Sequence, residues 1–309
     1  MDVLIQQIIN GLVLGSMYAL VALGYTMVYG IINLINFAHG EVLMVGALTS
    51  WSVMAWWAQA FPELPQSVGF VLSLFAACGV CGGLNYFIEK IAYRPLRRAP
   101  KLAPLITAIG LSILLQTLAM IIWKPSYKSY VSPFGTTPMD VFGAVISPSQ
   151  VMILCVTVLL LLALMVLVNT TRLGRAMRAT SESAQMASLM GVKPDQVISL
   201  TFVIGAVLAA VAGVMWAANF GTVHHAMGFL PGLKAFTAAV LGGIGNLPGA
   251  VVGGLCLGLI ESIGSGYLGE LTGGVLGSQY SDIFAFLVLI LMLTLRPSGL
   301  LGEKLAERA

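Results

Sequence analysis

Side chains able to carry chemistry are few in this sequence. His39 and Glu41 stand two residues apart in the stretch NLINFAHGEVLMVGAL (33–48), with Gly40 between them and Asn36 just before. Ionisable groups inside an apolar segment are functional candidates by default, so catalysis, metal binding, proton transfer and a purely structural role are all open. A spacing of two points the side chains apart on a helix, which disfavours a joint catalytic or metal role. The pair is not H-E-x-x-H, and no G-x-S-x-G motif occurs. Cys78-x-x-Cys81 has redox or zinc spacing but sits in an apolar segment with no second Cys or His pair, so it reads as small packing residues. His224-His225 lacks further ligands nearby and reads as loop. Lys234 and Glu261 flank a long apolar run and are expected to reach a membrane interface; Asp282 is expected to begin a helix.

The elements that must position these residues belong to a membrane protein. Of 309 residues, 58% are hydrophobic and only 9% charged, against about 25% charged in a soluble domain. The net charge of +3, without a binding motif or extended basic face, gives no reason to expect a nucleic-acid partner. Spans of about 20 apolar residues are expected near 5–29, 31–57, 68–90, 104–123, 149–169, 196–218 and 281–296. The run 232–265 is interrupted by GGIGNLPG, and 31–57 by Asn36 to Gly40, because glycine and proline punctuate helices. The first run lacks a basic leader and is too long for a secretory signal, so it reads as a retained helix. The expectation is an all-α, polytopic membrane helix bundle with broken or re-entrant helices and short loops, forming one domain over 1–309.

Twelve of the fifteen basic residues fall in three clusters: Lys90 to Lys101, Arg172 to Lys193, and Arg296 to Arg308. The positive-inside rule makes these cytoplasmic. The N-terminus and the loops 124–148, 219–231 and 266–280 are then outside, and the C-terminus inside. Parity closes if the 232–265 run enters and returns. Trp51, Trp56 and Trp57 fit an interfacial belt. Small-xxx-small pairs such as Gly11/Gly15, Gly79/Gly83, Gly249/Gly253 and Gly254/Gly258 predict close helix packing.

The second basic loop, TRLGRAMRATSESAQMASLMGVKPDQV (171–197), predicts a short helix of its own. Arg172, Arg175 and Arg178 suit a helix end leaving the membrane. Thr180 or Ser181 can cap the next helix, Glu182 falls in its first turn, and Gly191 and Pro194 end it. Ala184, Ala187, Leu189 and Met190 give it a small apolar face. A helix of two to three turns is marginal alone, so this face must dock.

GRAMRATSESAQMASLMGV resembles the cytoplasmic coupling segment of bacterial ABC-importer permeases, with their Ala-x-x-x-Gly core at Ala187 and Gly191. NFAHGEVLMVGA, AFTAAVLGGIGNLPGAVVGG, LGSMYALVALGYTMVYGIINLINFAHGE and RPSGLLG resemble one branch, the LivH-type branched-chain amino acid permeases. The resemblance runs over essentially the whole chain. Its coupling motif departs at the head, where Gln185-Met186-Ala187 stands for Glu-Ala-Ala. It implies a permease subunit in a bacterial inner (cytoplasmic) membrane, paired with a second homologous permease, two cytoplasmic ATPase subunits and a periplasmic binding protein. It also implies import of leucine, isoleucine and valine, or of urea, short amides or other amino acids in sister systems. Independently, no G-x-x-x-x-G-K-[ST] sequence is present, so ATP use is expected on separate subunits and no cofactor on this chain.

The coupling residues are then Ser181, Glu182, Ala184, Ala187, Leu189, Met190 and Gly191. Non-helical backbone at membrane depth is tolerated only where protein or a water-filled cavity satisfies it. The substrate pathway is therefore expected along the two breaks, at Asn36, His39, Gly40 and Glu41 and at Gly243, Gly245, Asn246 and Pro248, where free helix ends can meet the charged ends of a substrate. An ion-coupled carrier, with His39 and Glu41 as proton relay, and a channel are the competing classes.

Overall fold

Prolines and left-handed residues decide where the helices stop. The structure, a computed structural model, describes residues 2–34, 36–97, 99–100, 102–134, 138–141, 143–271, 280–296 and 298–302. Helix α1 (Asp2–Ile32) ends where Asn33 takes a positive φ of 50°. After a non-helical link, α2 (His39–Ala60) begins, and Pro65 precedes α3 (Gln66–Ile88). A π-helical turn, Glu89–Tyr93, carries α3 into the short α4 (Arg94–Leu96). Then come α5 (Leu102–Trp123), α6 (Pro148–Thr170), α7 (Arg172–Glu182) and α8 (Ala184–Leu189). The chain closes with α9 (Pro194–Phe220), α10 (Phe229–Gly242), α11 (Leu247–Leu271) and α12 (Ser281–Leu295). The expected polytopic helical bundle is what is found.

Six helices among the described residues are long and apolar enough to cross a membrane, and the protein is a multi-pass membrane protein. The second half of the 232–265 run, expected as one of two short segments that enter and return, is long enough to span by itself (Leu247–Tyr267), and two expected spans differ. The one expected at 31–57 is the shifted α2, whose first turn carries His39 and Glu41 and which is not among the six. The one at 281–296 is α12, whose 15 residues reach only about 22 Å at 1.5 Å per residue.

Helices α1 and α9 form the centre, packed against α2, α10 and α11. Exposed apolar side chains such as Ile106, Ile121, Leu159 and Leu162 cover the outer helices α5 and α6, the reverse of a water-soluble surface and the face a bilayer solvates. Close packing rests on glycine, as expected for three of the four pairs. A Cβ added at Gly15 would lie 2.8 Å from the Gly254 carbonyl, and one at Gly253 would strike the α10 backbone. Gly79 and Gly83 meet nothing within 4 Å among the described residues.

The loops sort onto two faces. On one, strand β1 (Lys128–Ser129) pairs antiparallel with β4 (Thr222–Val223), and β2 (Met139–Val141) pairs with β3 (Ala144–Ile146). Gln6 of α1 exchanges two hydrogen bonds with the Val145 backbone there. The tryptophans of α2 lie near: Trp51 Nε1 donates to the Ser129 carbonyl, Trp56 is exposed and Trp57 is buried against Gly69. On the opposite, basic face, the Glu89 carboxylate is fully buried and paired with Arg94 and Arg97, while Arg97 also bonds Asp195 at 2.5 Å. Arg98, Lys101, Lys304 and Arg308 lie outside the described residues.

Candidate functional site

The first break is a folded joint. Asn36 Oδ1 accepts the Ala38 N–H at 3.1 Å and the Tyr93 hydroxyl at 2.7 Å. That turn lifts the chain from the end of α1 so that α2 starts partway along α1, with the His39 ring against Gly24 and edge-on to Tyr25 at 4.8 Å. From Gly24 to the end of α1 is about 12 Å of helix, which sets His39 well inside the bundle. Gln116 (2.7 Å) and Ser112 (3.1 Å), both on α5, donate to Glu41 Oε1. Glu41 Oε2 and both His39 nitrogens are buried without hydrogen-bond partners among the described residues. His39 and Glu41 make no contact with each other in these hydrogen bonds. Gly40 is helical rather than left-handed; its part is close approach, since an added Cβ would sit 2.5 Å from the Gly228 carbonyl oxygen and 2.8 Å from Gly232 Cα.

The second break lies elsewhere. Gly243 (φ 103°) and Gly245 (φ 99°) turn the chain between α10 and α11. Asn246 Oδ1 accepts the Gly249 N–H at 2.9 Å, and Pro248 stands in the first turn of α11. The last carbonyls of α10, on Leu241 and Gly242, accept N–H groups from Leu300 and Leu301 at 2.8 and 3.0 Å. Leu300 and Leu301 thus cap this turn through their backbone, and Asn246 Nδ2 adds a bond to the Leu301 carbonyl. The structure does not bring the two breaks together. NFAHGE meets the start of α10, whereas GGIGNLPG sits at its end on the basic face.

There the turn adjoins the predicted coupling segment. A cavity of about 110 Å³ is walled by Gly30, Gly245 and Leu247 on one side and Met177, Arg178 and Ser181 on the other. The segment itself is two helices. Thr171 caps α7, and Arg175 and Arg178 reach back to the Thr170 and Val168 carbonyls at the end of α6. Ser183, not Thr180 or Ser181, caps α8, with Ser183 Oγ accepting the Met186 N–H at 3.3 Å; Ser181 and Glu182 end α7 instead. Gly191 (φ 85°) terminates α8 in a Schellman motif, its N–H on the Ser188 carbonyl and the Val192 N–H on the Ala187 carbonyl. Ala187 is buried, whereas Ala184, Met186, Leu189 (79%) and Met190 (85%) are exposed.

Sequence reasoning missed one cluster. Lys234 and Glu261 are not at an interface: each is 6% exposed, and they pair at 2.6 Å. Lys234 also reaches Asp282 at 2.5 Å, and the Tyr18 hydroxyl donates to Glu261 Oε2 at 2.9 Å. Four helices, α1, α10, α11 and α12, converge there. The signal that could have found the cluster was two opposite charges in a run, 232–265, otherwise free of charge. Beside it is a pocket of about 390 Å³ walled by Tyr18, Trp216 and Phe220. His224 lies at that pocket and rests on Tyr127 at 4.7 Å; burial, with His225 beside it, holds its pKa below the usual histidine value, so the ring is neutral at pH 7. No group of three His, Cys, Asp or Glu residues that could hold a metal occurs among the described residues, and all four cysteines are free thiols.

Residues 7–293 match the family model described as "Branched-chain amino acid transport system / permease component". The chain is 46% identical to the high-affinity branched-chain amino acid transport system permease protein BraD of Pseudomonas aeruginosa, covering 98% of this chain and 97% of that one. It is 43% identical, with the same coverage, to LivH of Escherichia coli, which carries the same description. LivH of Salmonella typhimurium is 44% identical over 98% of this chain and 97% of its own. A buried polar joint, a capped turn and an exposed helix on the basic face therefore sit in a chain that belongs to the family of branched-chain amino acid transport permeases.

Proposed function

We propose that this chain, as one domain, is the transmembrane permease subunit of an ATP-driven importer in a bacterial inner membrane, moving leucine, isoleucine and valine inward by alternating access. The basic face is cytoplasmic, with the C-terminus, and the N-terminus is periplasmic. A second, homologous permease completes the membrane unit, two ATPase subunits dock on the cytoplasmic face, and a periplasmic binding protein delivers substrate. The chain itself binds no cofactor; ATP acts on the partners.

The observation that carries this reading is α8. Its cap and its Schellman turn fix a helix too short to persist alone, and it presents Leu189 and Met190 almost fully exposed beside the basic α7. An apolar tip on the charged side of a membrane protein fits a groove on a soluble partner. Through α7 it abuts the α10–α11 turn, which gives movement at α8 a packed route into the bundle. Closure of an ATPase pair on bound nucleotide then has one conformation to favour over another.

The test is uptake of labelled leucine, isoleucine, valine and urea into vesicles holding all the subunits. ATP-dependent uptake of the three amino acids, insensitive to a protonophore, is expected. Uptake without ATP that a protonophore stops would overturn the reading in favour of an ion-coupled carrier, and uptake of urea alone would overturn the substrate.

A further inference from the structure

The Lys234–Glu261 pair is built as more than a structural tie. A buried ion pair is weak evidence of stabilisation, because desolvating both charges offsets most of their attraction, and apolar replacements are often as good. Here the pair forms the floor of the pocket of about 390 Å³, within the range of about 300–1,000 Å³ usual for small-molecule sites. The walls are the rings of Tyr18, Trp216 and Phe220 with Met227 and Leu230. A second cavity, of about 350 Å³, shares Leu14, Phe220 and Glu261 with the first and is lined by Asn10, Gln150 and Asn219. It lies toward the face of the paired strands. A polar cavity therefore adjoins, through these three shared residues, a largely apolar and aromatic pocket that holds His224 and one ion pair.

Both charged groups retain bonding capacity. Lys234 has three N–H donors, of which Glu261 and Asp282 take two. Glu261 offers about four lone-pair sites, and Lys234 and Tyr18 occupy one on each oxygen. A carboxylate can bind Lys234, and an ammonium group Glu261, without separating the pair.

We infer that this pocket binds the free α-amino acid: Lys234 takes its carboxylate, Glu261 its ammonium group, and the aromatic wall its apolar side chain. The inference rests on the proposed amino-acid permease function and gives it a site. A zwitterion leaves the formal charge of the cluster unchanged. The matching 2-oxo acid adds a negative charge beside Glu261 and Asp282, and the matching amine leaves Lys234 without its new partner.

The experiment uses the complete importer in vesicles and two variants. K234M/E261Q removes both charges of the pair, keeps an acceptor for Tyr18 and leaves only Asp282, which is solvent-accessible, without its partner; L230W fills the pocket from a position 47% exposed and leaves the pair intact. Each is expected to lower leucine uptake at least tenfold, with ATPase assembly and melting temperature unchanged. In a separate binding assay on the wild-type permease–ATPase complex without the binding protein, 4-methyl-2-oxopentanoate and 3-methylbutylamine are expected to displace bound labelled leucine at least tenfold less well than leucine itself. Wild-type uptake by L230W, or by a folded double variant, overturns the site, as does equal competition by the analogues. If the wild-type complex takes up none of the three amino acids, the proposed function fails; if wild type and variants all do, only the site fails.

Discussion

Replacing Gly40 by alanine tests the crossing of α2 with the start of α10. The new Cβ would lie 2.5 Å from the Gly228 carbonyl oxygen and 2.8 Å from Gly232 Cα. Ordinary contact begins near 3.4 Å, so the two segments must part by about 0.6–0.9 Å. Both obstacles are backbone, and no rotamer change relieves them. Overpacking of this kind costs about 1–3 kcal/mol, and gaps of about 0.5–1 Å forfeit a quarter to a half of each dispersion contact at the crossing. With unfolding entropy near 2.1 cal/mol/K per residue, that cost lowers the melting temperature of the 309-residue chain by about 2–5 °C. If the strain falls on only one of two transport conformations, it changes their ratio by about 5- to 150-fold. The assays are thermal unfolding in detergent and ATP-driven uptake in vesicles, with Gly79→Ala, which faces open space, as the control. A Gly40→Ala protein that melts and transports like the control refutes the close crossing and its place in the cycle.

Three further outcomes are expected. Leu189→Glu with Met190→Glu leaves melting unchanged, since both side chains are exposed, but abolishes co-purification with the ATPase subunits; retained association would remove α8 from the interface. Ser183→Ala takes the cap from α8 at a cost of about 0.5–2 kcal/mol, and Gly191→Ala strains a positive φ by about 1–2 kcal/mol; hydrogen exchange over 184–190 should accelerate in both, and unchanged protection would contradict the capping scheme. Glu41→Gln keeps one acceptor for Ser112 and Gln116 and should melt close to wild type, whereas Glu41→Leu strands the buried Ser112 hydroxyl at about 1–3 kcal/mol and leaves the half-buried Gln116 without its acceptor; equal melting of the two variants would show those bonds contribute nothing.

The sequence marks where the chain breaks better than what the breaks touch. Asn36 and Gly40 bracket a real joint because an Asx turn and a left-handed Asn33 are local events. Gly191 ends α8 for the same local reason. The cap lies two or three residues beyond the expected one because Thr180, Ser181 and Ser183 offer the same hydroxyl; tertiary packing decides among them by burying Met177 and Thr180 on α7. The glycines of the two breaks looked alike, yet Gly243 and Gly245 supply positive φ while Gly40 supplies closeness. The two opposite charges of the Lys234 cluster are visible in the sequence, but their pairing is hidden for a different reason. Its members lie 243 and 27 residues from Glu261, and nothing in helix periodicity fixes the register between α1, α10 and α11.

That register makes α10 the common element of every site. Its approach meets Gly40 through Gly228, its second turn carries Lys234, and its last carbonyls are held by Leu300 and Leu301 beside the turn that borders α7. It has only 14 residues, about 21 Å at the standard rise, so it is too short to be anchored at both membrane interfaces and depends on its neighbours for position. The contacts at its two ends include close glycine-to-backbone approaches, Gly40 against Gly228 and Gly232 at one and Gly242 against Gly249 at the other. Such surfaces permit small sliding displacements that knobs packed into holes resist, which is the basis of shear motion between helices. A displacement of α10 cannot occur without altering the Gly40 crossing, the surroundings of Lys234 and the capped turn together. The Gly40→Ala and K234M/E261Q perturbations act on two points of one short rigid body, and their effects on uptake should therefore be non-additive in a double-mutant comparison, as expected for residues coupled through a shared backbone shift.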